Sequence, residues 1–414
     1  MELRAVRQWD QPPRLPKTHY VDNRIYSDPV IFAEEQARIF AGGWKMVCHE
    51  SELPNSGDYR VFTVAGIPIL LVRAEDGEIR AFFNACPHRG AELVRNVQGN
   101  AGRRFQCFYH LWTFGLDGRC TGITRPGGYE PCGLKKEDVG LRRVRTENRF
   151  GLIFVSMRDD VDRLDDYLGG LLGPLETHLG QERLEIFHYH SAEMNTNWKL
   201  WNDNNTELYH ELLHVFNRKT SLSNPAYNER RWSLFANGHS MMEQGKVEMQ
   251  YENWGLEGRS INMMPGMYTN GVVVMTIFPD ILINIRATVI RIDTMTPIAP
   301  GKTLVEWRGL CLKSDSPEVK QTRARHHNQV WGPAGRNLPE DIAAVESQWR
   351  NMANDAIRYS IIAREENLAP QDDANLRAYY QEWGRRVGRH PHDASARSAE
   401  MRMARPVRIG AVNA

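Results

Sequence analysis

The feature that most constrains this chain is a pair of short segments that each place one cysteine near one histidine. One residue separates Cys86 from His88, two residues separate Cys107 from His110, and eighteen residues lie between the segments. In a chain with no evident export signal, clustered cysteines and histidines indicate metal binding rather than a disulfide framework. The fold must therefore bring the two segments together.

Three explanations fit this spacing: a zinc site, an iron–sulfur cluster of the Rieske type, and coincidence. Zinc sites usually pair Cys with Cys and His with His within a segment, whereas each segment here carries one of each. This arrangement suits a [2Fe–2S] cluster in which Cys86 and Cys107 bind one iron and His88 and His110 bind the other. We therefore predict a Rieske cluster.

A second metal-binding pattern falls within a helix that we expect over residues 195–217. His210 and His214 are four residues apart, so on a helix both rings project from one face, which Glu207 shares. Two histidines and a carboxylate form the facial triad of mononuclear iron sites, which leaves positions open for O2 and substrate. The stretch also spells His-Glu-x-x-His, in which Glu211 would be the base of a zinc hydrolase. Two ordinary helix histidines are the plain structural alternative.

Composition and hydrophobic periodicity divide the chain into four parts and predict the α+β class. Residues 1–42 form an N-terminal segment that we expect to pack on the catalytic domain. Residues 43–157 form a small β domain, residues 158–387 a larger α+β domain, and residues 388–414 a tail that is either disordered or ordered by a partner. In the larger domain we predict helices near 162–179, 195–217, 317–330, 339–366 and 372–388, and strands at 185–193, 230–236, 271–278, 281–292 and 303–313.

Charge and hydropathy exclude several classes of partner. The chain has 52 Lys and Arg against 51 Asp and Glu, a formal charge of +1, whereas binding to nucleic acid or a membrane surface calls for a basic excess. The longest apolar runs, such as residues 271–278, fall well short of the ~20 residues of a membrane helix. The N-terminus lacks the apolar segment of a signal peptide. We therefore expect a cytoplasmic protein with neither nucleic acid nor membrane as a partner.

The first pattern also carries a family resemblance. Cys-Pro-His-Arg-Gly at 86–90, followed by Cys-x-Tyr-His-x-Trp at 107–112, resembles the Rieske domain of the α (large, catalytic) subunit of ring-hydroxylating non-haem iron oxygenases. The resemblance spans residues 25 to about 370. It implies a small antiparallel β Rieske domain inserted in a larger α+β catalytic domain, whose central antiparallel sheet is of the helix-grip type. It also implies a cluster near the surface, where an electron carrier docks.

The resemblance supplies the third iron ligand. Gly332-Pro-Ala-Gly335 matches the family segment that precedes its carboxylate ligand, which puts Asp341 in the ligand place beside His210 and His214. Pro339 suits the first turn of a helix, where the dipole favours a charged carboxylate. Glu340 is the alternative ligand.

The resemblance also implies a path for electrons between subunits. In the family, an acidic residue three positions before the first histidine ligand bridges to a Rieske histidine of the neighbouring subunit. Here that residue is Glu207, which would connect His110 of one chain to His210 of the next. Asp203 is a possible substitute for it.

The implied activity is that of the terminal oxygenase component of a multicomponent mono- or dioxygenase. Electrons would come from NAD(P)H through a separate reductase, with or without a ferredoxin, because this chain shows no nicotinamide or flavin fingerprint. The cofactors would be a [2Fe–2S] Rieske cluster and a mononuclear Fe(II). The assembly implied is α3, or α3β3 with a small β subunit.

We expect the substrate to be a small acid, a carboxylated or sulfonated aromatic compound that is hydroxylated with O2. On an alternating strand Asn284 and Arg286 face the same side, and an inward Arg286 would suit a carboxylate or sulfonate. The alternative is an alkanesulfonate monooxygenase of the methanesulfonate type. An electron-transfer protein without oxygenase activity and the zinc hydrolase are the other classes. The positions expected near the substrate are Val215, Phe216, Asn284, Arg286, Trp331 and Asn337.

Overall fold

The computed structural model of the chain describes residues 8–215, 229–243, 262–268 and 271–397. Within these residues the chain divides into two compact units. The β unit holds residues 40–162, and the α+β unit holds residues 8–39 together with 163–397. The β unit is therefore inserted in the chain of the α+β unit.

The β-strands of the described residues pair antiparallel throughout. In chain order they are β1 (Tyr20–Asp22), β2 (Lys45–His49), β3 (Asp58–Val64), β4 (Ile67–Arg73), β5 (Ile79–Phe83), β6 (Gln98–Asn100), β7 (Arg104–Gln106), β8 (Thr113–Gly115), β9 (Cys120–Gly122), β10 (Arg143–Arg149), β11 (Leu152–Ser156), β12 (Leu184–Met194), β13 (Trp232–Leu234), β14 (Ser240–Met242), β15 (Val272–Ile277), β16 (Ile281–Arg286), β17 (Val289–Ala299), β18 (Lys302–Leu312), β19 (Tyr359–Ile361), β20 (Arg389–His390) and β21 (Asp393–Arg397).

The α-helices of the described residues belong to the α+β unit. They are α1 (Arg24–Ser27), α2 (Pro29–Glu35), α3 (Leu164–Leu168), α4 (Leu172–Leu175), α5 (Trp198–Thr206), α6 (Pro317–Trp331), α7 (Leu338–Ala353) and α8 (Ala374–Val387). None of the helices in these parts of the chain is both long enough and apolar enough to cross a lipid bilayer.

The β unit is built on a seven-stranded sheet with the order β2-β11-β10-β5-β4-β3-β6 and a smaller sheet β7-β8-β9. Alternating apolar side chains of these strands form two buried clusters, one of which includes Phe82, Phe105 and Phe114. The segment of Cys86 follows β5, and the segment of Cys107 connects β7 to β8. Both cysteines belong to the cluster of the three phenylalanines, so the predicted convergence of the two segments is present.

The α+β unit is built on a seven-stranded antiparallel sheet with the order β12-β18-β17-β16-β15-β14-β13. Helix α5 contacts β17 through Trp201, whose indole N–H donates to Asp293, and through Asn205, which accepts from Arg291. The predicted α+β class with a central antiparallel sheet is therefore confirmed. Residues 8–39 of the N-terminal segment belong to the same unit, in which β1 pairs with β19, whereas residues 40–42 belong to the β unit.

Three predicted elements of this unit have wrong bounds. The helix expected over 195–217 ends at Thr206, and the helix expected over 339–366 ends at Ala353 and is followed by β19. The strand expected over 281–292 is two strands, because the chain turns back at Ala287, where φ is +45°. Thr288, which an unbroken strand would place beside Arg286, instead meets the ring of His326 at 2.7 Å.

The structured chain also extends beyond the predicted boundary at residue 388. Gly388 ends α8 with a φ of +81°, a conformation that glycine adopts without strain. Strands β20 and β21 then pair with each other, and Arg389 binds the carboxylate of Glu34 at 2.6 Å. The expectation of a tail that is either disordered or ordered by a partner is therefore wrong for residues 389–397, which contacts within this chain hold in place. Residues 398–414 lie outside the described part of the chain.

Candidate metal centres

The two cysteine segments of the β unit fold into the same turn. In the first, the N–H of Cys86 donates to the carbonyl of Ala91 and the N–H of Gly90 donates to that of Cys86. In the second, Cys107 and Leu111 make the corresponding bonds, with the acceptors at the same spacing. Gly90 and Leu111 both have positive φ, +73° and +59°. Leu111 adopts this conformation in spite of its side chain, which costs about 1 kcal/mol, so the turn is held by its surroundings.

These turns bring the four predicted cluster residues together. Cys86 and Cys107 are 2% and 1% exposed, and their thiols are within hydrogen-bonding reach of each other. The rings of His88 and His110 lie 4.5 Å apart between centroids. Trp112 stacks on His88 at 4.7 Å with an angle of 8° between the planes.

The donor set fits a Rieske cluster. Nδ1 of His88 is buried and has no hydrogen-bond partner among the described residues, which leaves it for a metal. Burial raises the pKa of Cys86 to about 11, while backbone N–H groups of His88 and Arg89 donate to its sulfur and favour the thiolate. Bound iron would oppose the effect of burial and stabilise the thiolate, because metal ligation requires the deprotonated sulfur.

In the α+β unit, the helix that carries the second pattern ends before its histidines. Residues 202–206 read Asn-Asp-Asn-Asn-Thr, which are poor helix formers because their side chains compete for backbone groups. Asn205 donates to the carbonyl of Trp201, and the Thr206 hydroxyl donates to that of Asn202. Glu207 is extended (φ −96°, ψ 128°) and ends the helix.

The prediction that His210 and His214 lie on one face of an α-helix is therefore wrong. His210 lies in a 3₁₀ turn over Tyr209–Leu212, and His214 follows it. Their rings are nonetheless neighbours, 5.4 Å apart between centroids. The 3₁₀ turn brings the two histidines together in place of the helix.

Asp341 joins this pair from the first turn of α7. Its Oδ1 lies 3.5 Å from Nε2 of His210 and 3.5 Å from Nε2 of His214. The three ligand atoms lie within 4.8 Å of one another and form a group that can hold a metal ion. Asp341 is 7% exposed, and its Oδ1 makes no hydrogen bond within the described residues. The donor set fits a facial triad for a mononuclear metal.

The loop before α7 places Asp341 and requires glycine. A Cβ on Gly332 would lie 2.6 Å from the carbonyl oxygen of Asn328. This close approach lets Arg336 and Asn337 bond back to the last turns of α6. The Asn337 carbonyl then accepts the N–H of Asp341 at 3.1 Å.

Two glutamates orient the two histidines. The Nδ1 atom of His210 lies 2.8 Å from Glu207, and Nδ1 of His214 lies 2.8 Å from Oε2 of Glu340. Each carboxylate fixes the ring so that Nε2 faces Asp341, as carboxylates commonly do for metal-binding histidines. Glu340, the alternative ligand of the sequence analysis, is thus placed behind a histidine instead of in the ligand group.

The electrostatics of the site follow from this arrangement. Burial lowers the pKa of His210, but the hydrogen bond and charge of Glu207 outweigh it and raise the pKa to about 9. Burial raises the pKa of Asp341, and the two histidines oppose this. A cation between the three groups would therefore stabilise the ionised carboxylate.

Asp203 has a different environment from the one predicted. Its Oδ2 accepts from the hydroxyls of Tyr26 at 2.8 Å and Tyr380 at 2.6 Å. Burial raises its pKa to about 6. Among the described contacts Asp203 makes none with His210, whereas Glu207 lies 2.8 Å from Nδ1 of that residue, which favours Glu207 over Asp203 as the bridging acid.

The residues predicted to contact substrate are dispersed. Asn284 is buried in β16, and its Oδ1 makes no hydrogen bond among the described residues. The guanidinium of Arg286 lies 5.7 Å from the ring of buried Trp331. Asn337 precedes α7, and Val215 is 47% exposed with its N–H 3.4 Å from Glu340. Phe216 lies outside the described residues, as does the side chain of Glu211.

Sequence reasoning missed two groups at these centres. The hydroxyl of Tyr129 lies 3.2 Å from Nε2 of His88, and neither its distance along the chain nor its residue type indicates this. The pairing of Glu340 with His214 was also missed, although an acid next to the predicted ligand was a signal for it.

Two family descriptions match this chain. The description Rieske [2Fe-2S] domain matches residues 43–133, and Ring hydroxylating alpha subunit (catalytic domain) matches residues 181–388. The chain belongs to the α subunits of the Rieske ring-hydroxylating oxygenases. It is an oxidoreductase that incorporates O2, and it binds a Rieske [2Fe–2S] cluster and a mononuclear iron. The zinc hydrolase and the simple electron carrier are thereby set aside.

Similar proteins include two α subunits that act on sulfonates. The chain is 41% identical to 2-aminobenzenesulfonate 2,3-dioxygenase subunit alpha of Alcaligenes sp. over 389 residues, 93% of this chain and 98% of that protein. It is 40% identical to methanesulfonate monooxygenase hydroxylase subunit alpha of Methylosulfonomonas methylovora over 403 residues, 94% and 96% of the two chains. Naphthalene 1,2-dioxygenase from Rhodococcus sp. bound to indole shares the fold, with a TM-score of 0.76 at 22% identity over 89% of this chain and 94% of that one.

Proposed function

We propose that this chain is the terminal oxygenase α subunit for a small sulfonated substrate. The observation that carries the proposal is that the relatives at 41% and 40% identity, one an arylsulfonate dioxygenase and one an alkanesulfonate monooxygenase, share the sulfonate and little else in their substrates. A relative named for a carboxylate, the anthranilate 1,2-dioxygenase large subunit of Burkholderia cepacia, is 28% identical. An aromatic sulfonate is the first candidate and an alkanesulfonate the second.

In this proposal His210, His214 and Asp341 hold the mononuclear iron. Their three ligand atoms already face one another, and the hydrogen bonds of Glu207 and Glu340 fix the histidine tautomers that leave Nε2 for the metal. When bound, the iron supplies O2 activation next to the substrate. The residues of the chain hold the ligand geometry, and the two histidines oppose the rise that burial causes in the pKa of Asp341.

Cys86, His88, Cys107 and His110 hold the Rieske cluster in the same proposal. His110, unlike His88, forms no side-chain hydrogen bond among the described residues, and its ring is partly exposed. It can therefore meet a group of another subunit. Glu207 is suited to be that group, because one of its oxygens already binds His210 at 2.8 Å.

Electron transfer between subunits then requires an oligomer. We infer a ring of three α subunits, alone or with three β subunits, in which Glu207 of one chain contacts His110 of the partner subunit. The donors are a reductase that oxidises NAD(P)H and, where one is used, a ferredoxin. We place the protein in the cytoplasm, where these donors and the nicotinamide are found.

The sulfonate is assigned to Arg286 with help from Asn284. Asn284 pairs with Arg291 across β16 and β17, and Arg291 contacts Asn205 of α5, so this face of the sheet lies under the helix that leads to the iron ligands. Arg286, two residues from Asn284, shares that face. A guanidinium presents parallel N–H donors that match the oxygens of a sulfonate, which favours Arg286 as the group that recognises the anion.

A substrate comparison tests the proposal. The purified chain is supplied with its electron donors and O2, and product is measured with 2-aminobenzenesulfonate, its carboxylate twin 2-aminobenzoate, and methanesulfonate. The proposal expects turnover of a sulfonate and at least tenfold lower kcat/KM for the carboxylate twin. Turnover of the carboxylate alone would contradict it.

The matched variants are Arg286→Gln and Arg325→Gln, the second being an arginine elsewhere in the same unit. Loss of the Arg286 charge should raise KM for the sulfonate by tenfold or more, since an ionic hydrogen bond contributes about 1.5–3 kcal/mol. The Arg325 variant should keep the original KM. Equal KM values in both variants would remove Arg286 from the assignment.

A further inference from the structure

The two predicted histidine ligands of the cluster differ in what holds them within the chain. Nε2 of His88 lies 3.2 Å from the hydroxyl of Tyr129, whereas His110 has no comparable partner among the described residues. Two residues of the chain thus contact the His88 ring. Tyr129 meets its Nε2 atom, and the indole of Trp112 stacks on its face at 4.7 Å. His88 is therefore held by contacts within its own chain, although it remains partly exposed.

Tyr129 is placed by a short 3₁₀ segment, Pro126–Cys132. The N–H of Gly133 donates to Glu130 at the end of this segment, and the Cys132 thiol donates to the carbonyl of Tyr129 at 3.1 Å. The Tyr129 ring meets Trp112 edge-on, with 5.8 Å between centroids and 82° between planes. These contacts hold the hydroxyl in one direction, toward Nε2 of His88.

The direction of the hydrogen bond follows from the ligand atom. Nδ1 of His88 is buried with no hydrogen-bond partner in the described chain, so it is the nitrogen left for iron. When Nδ1 binds a metal, Nε2 carries the proton and donates it, and the Tyr129 oxygen accepts. An acceptor on the outer nitrogen makes the imidazole a stronger electron donor to the metal.

We propose that Tyr129 is a positioning residue that orients His88 and lowers the reduction potential of the Rieske cluster. A more basic ligand stabilises the oxidised iron, and hydrogen bonds near such clusters set their potentials. The hydroxyl therefore makes the outer iron a better electron donor to the mononuclear site. The inference rests on His88 being a cluster ligand, as proposed above.

The test is the midpoint potential of the cluster in the full-length protein, measured by EPR-monitored redox titration at one fixed pH. Tyr129→Phe removes the acceptor and keeps the ring. Tyr109→Phe is the matched control, because Tyr109 is 54% exposed and packs against the other histidine at 3.7 Å. Iron and acid-labile sulfide are measured in each variant.

We expect a higher midpoint potential in Tyr129→Phe at full cluster content and an unchanged potential in Tyr109→Phe. An unchanged potential in Tyr129→Phe, or an equal shift in both variants, would overturn the inference. If Tyr129→Phe loses its cluster, 3-fluorotyrosine at position 129 keeps the shape with a weaker acceptor and should give a smaller shift of the same sign. An unchanged midpoint potential with 3-fluorotyrosine at position 129 would also overturn the inference. A wild-type protein without a Rieske EPR signal would instead remove the ligand assignment itself.

Discussion

Glu340 Oε2 lies 2.8 Å from Nδ1 of His214, so the residue next to Asp341 orients one of the histidines that Asp341 faces. Two consecutive residues of α7 thus serve the same centre in different ways. Asp341 contributes an oxygen to the ligand group, and its neighbour fixes the tautomer of a ligand from another part of the chain.

Removing Glu340 should therefore weaken metal binding without abolishing it. Glu340→Ala should lower the affinity for the mononuclear iron by about 10–100-fold, the usual effect of losing such a partner. The measurement is iron retained against increasing chelator, with Glu318→Ala on the outside of α6 as the control. Equal retention in the two variants would show that the contact does not support the iron.

Glu207 should matter for electron transfer more than for iron binding. Glu207→Gln keeps a hydrogen-bond acceptor for His210 but removes the charge that raises the pKa of that histidine. We expect both iron centres to remain and the oxidation of the reduced Rieske cluster in a single turnover to slow by at least tenfold. Glu207→Asp should recover part of the rate. Unchanged single-turnover rates would remove Glu207 from the path.

The sequence predicts the metal-binding residues better than it predicts the secondary structure in which they lie. The spacing of Cys86, His88, Cys107 and His110 indicates a single site, because few kinds of metal site use two short loops that each contain one cysteine and one histidine. The four-residue interval between His210 and His214 was taken for a helix, but a 3₁₀ turn gives the same neighbours, and periodicity cannot separate the two.

Other features depend on contacts that a sequence does not display. Glu207 and Glu340 were recognised as important acids, but which of several acids binds a metal and which binds a histidine depends on distances of about an ångström. The turn at Ala287 also carries no local signal, since alanine rarely adopts positive φ. The fold class could be predicted because hydrophobic alternation and the family resemblance agree.

The buried ion pair of Lys199 and Glu35, which the periodicity of the sequence did not reveal, leads to a prediction about stability. Lys199 and Glu35 are both fully buried and lie 2.7 Å apart, and Glu35 also accepts from the indoles of Trp198 and Trp383. Lys199→Met leaves a buried carboxylate without its cation and should lower the free energy of unfolding by about 3–5 kcal/mol.

The control for that substitution is an exposed pair. Lys302 and Glu193 lie 2.6 Å apart with side chains that are 44% and 53% exposed, so Lys302→Met should cost less than about 1 kcal/mol. Thermal unfolding of the three proteins gives the comparison. A similar fall in Tm for both variants would mean that the buried charge of Lys199 is not what stabilises the unit.

Asp203 should make stability depend on pH. Because burial raises its pKa from 3.8 to about 6, the folded protein binds the proton more tightly than the unfolded chain. Ionisation of Asp203 therefore lowers the free energy of unfolding. The loss is negligible below about pH 4 and approaches a limit of about 3 kcal/mol above pH 6. The advantage of Asp203→Asn over the wild type should grow by about 1 kcal/mol between pH 5 and pH 7.

The measurement for Asp203 is the difference in unfolding free energy between variant and wild type at the two pH values. Asp160→Asn is the control, because Asp160 is exposed and Arg158 holds its pKa below the usual value. Its difference from the wild type should not change between pH 5 and pH 7. A constant difference for Asp203→Asn would contradict the assigned burial cost.

The central claim is that two separate iron centres divide the work, and Asp341→Ala in a single turnover with ¹⁸O2 tests it most directly. Fully reduced wild-type protein mixed with a sulfonate substrate and ¹⁸O2 should give labelled product. The variant should give no labelled product, retain two irons and two sulfides per chain, and keep the Rieske EPR signal unchanged. Labelled product from the variant, or loss of its Rieske signal, would contradict the partition of the two centres.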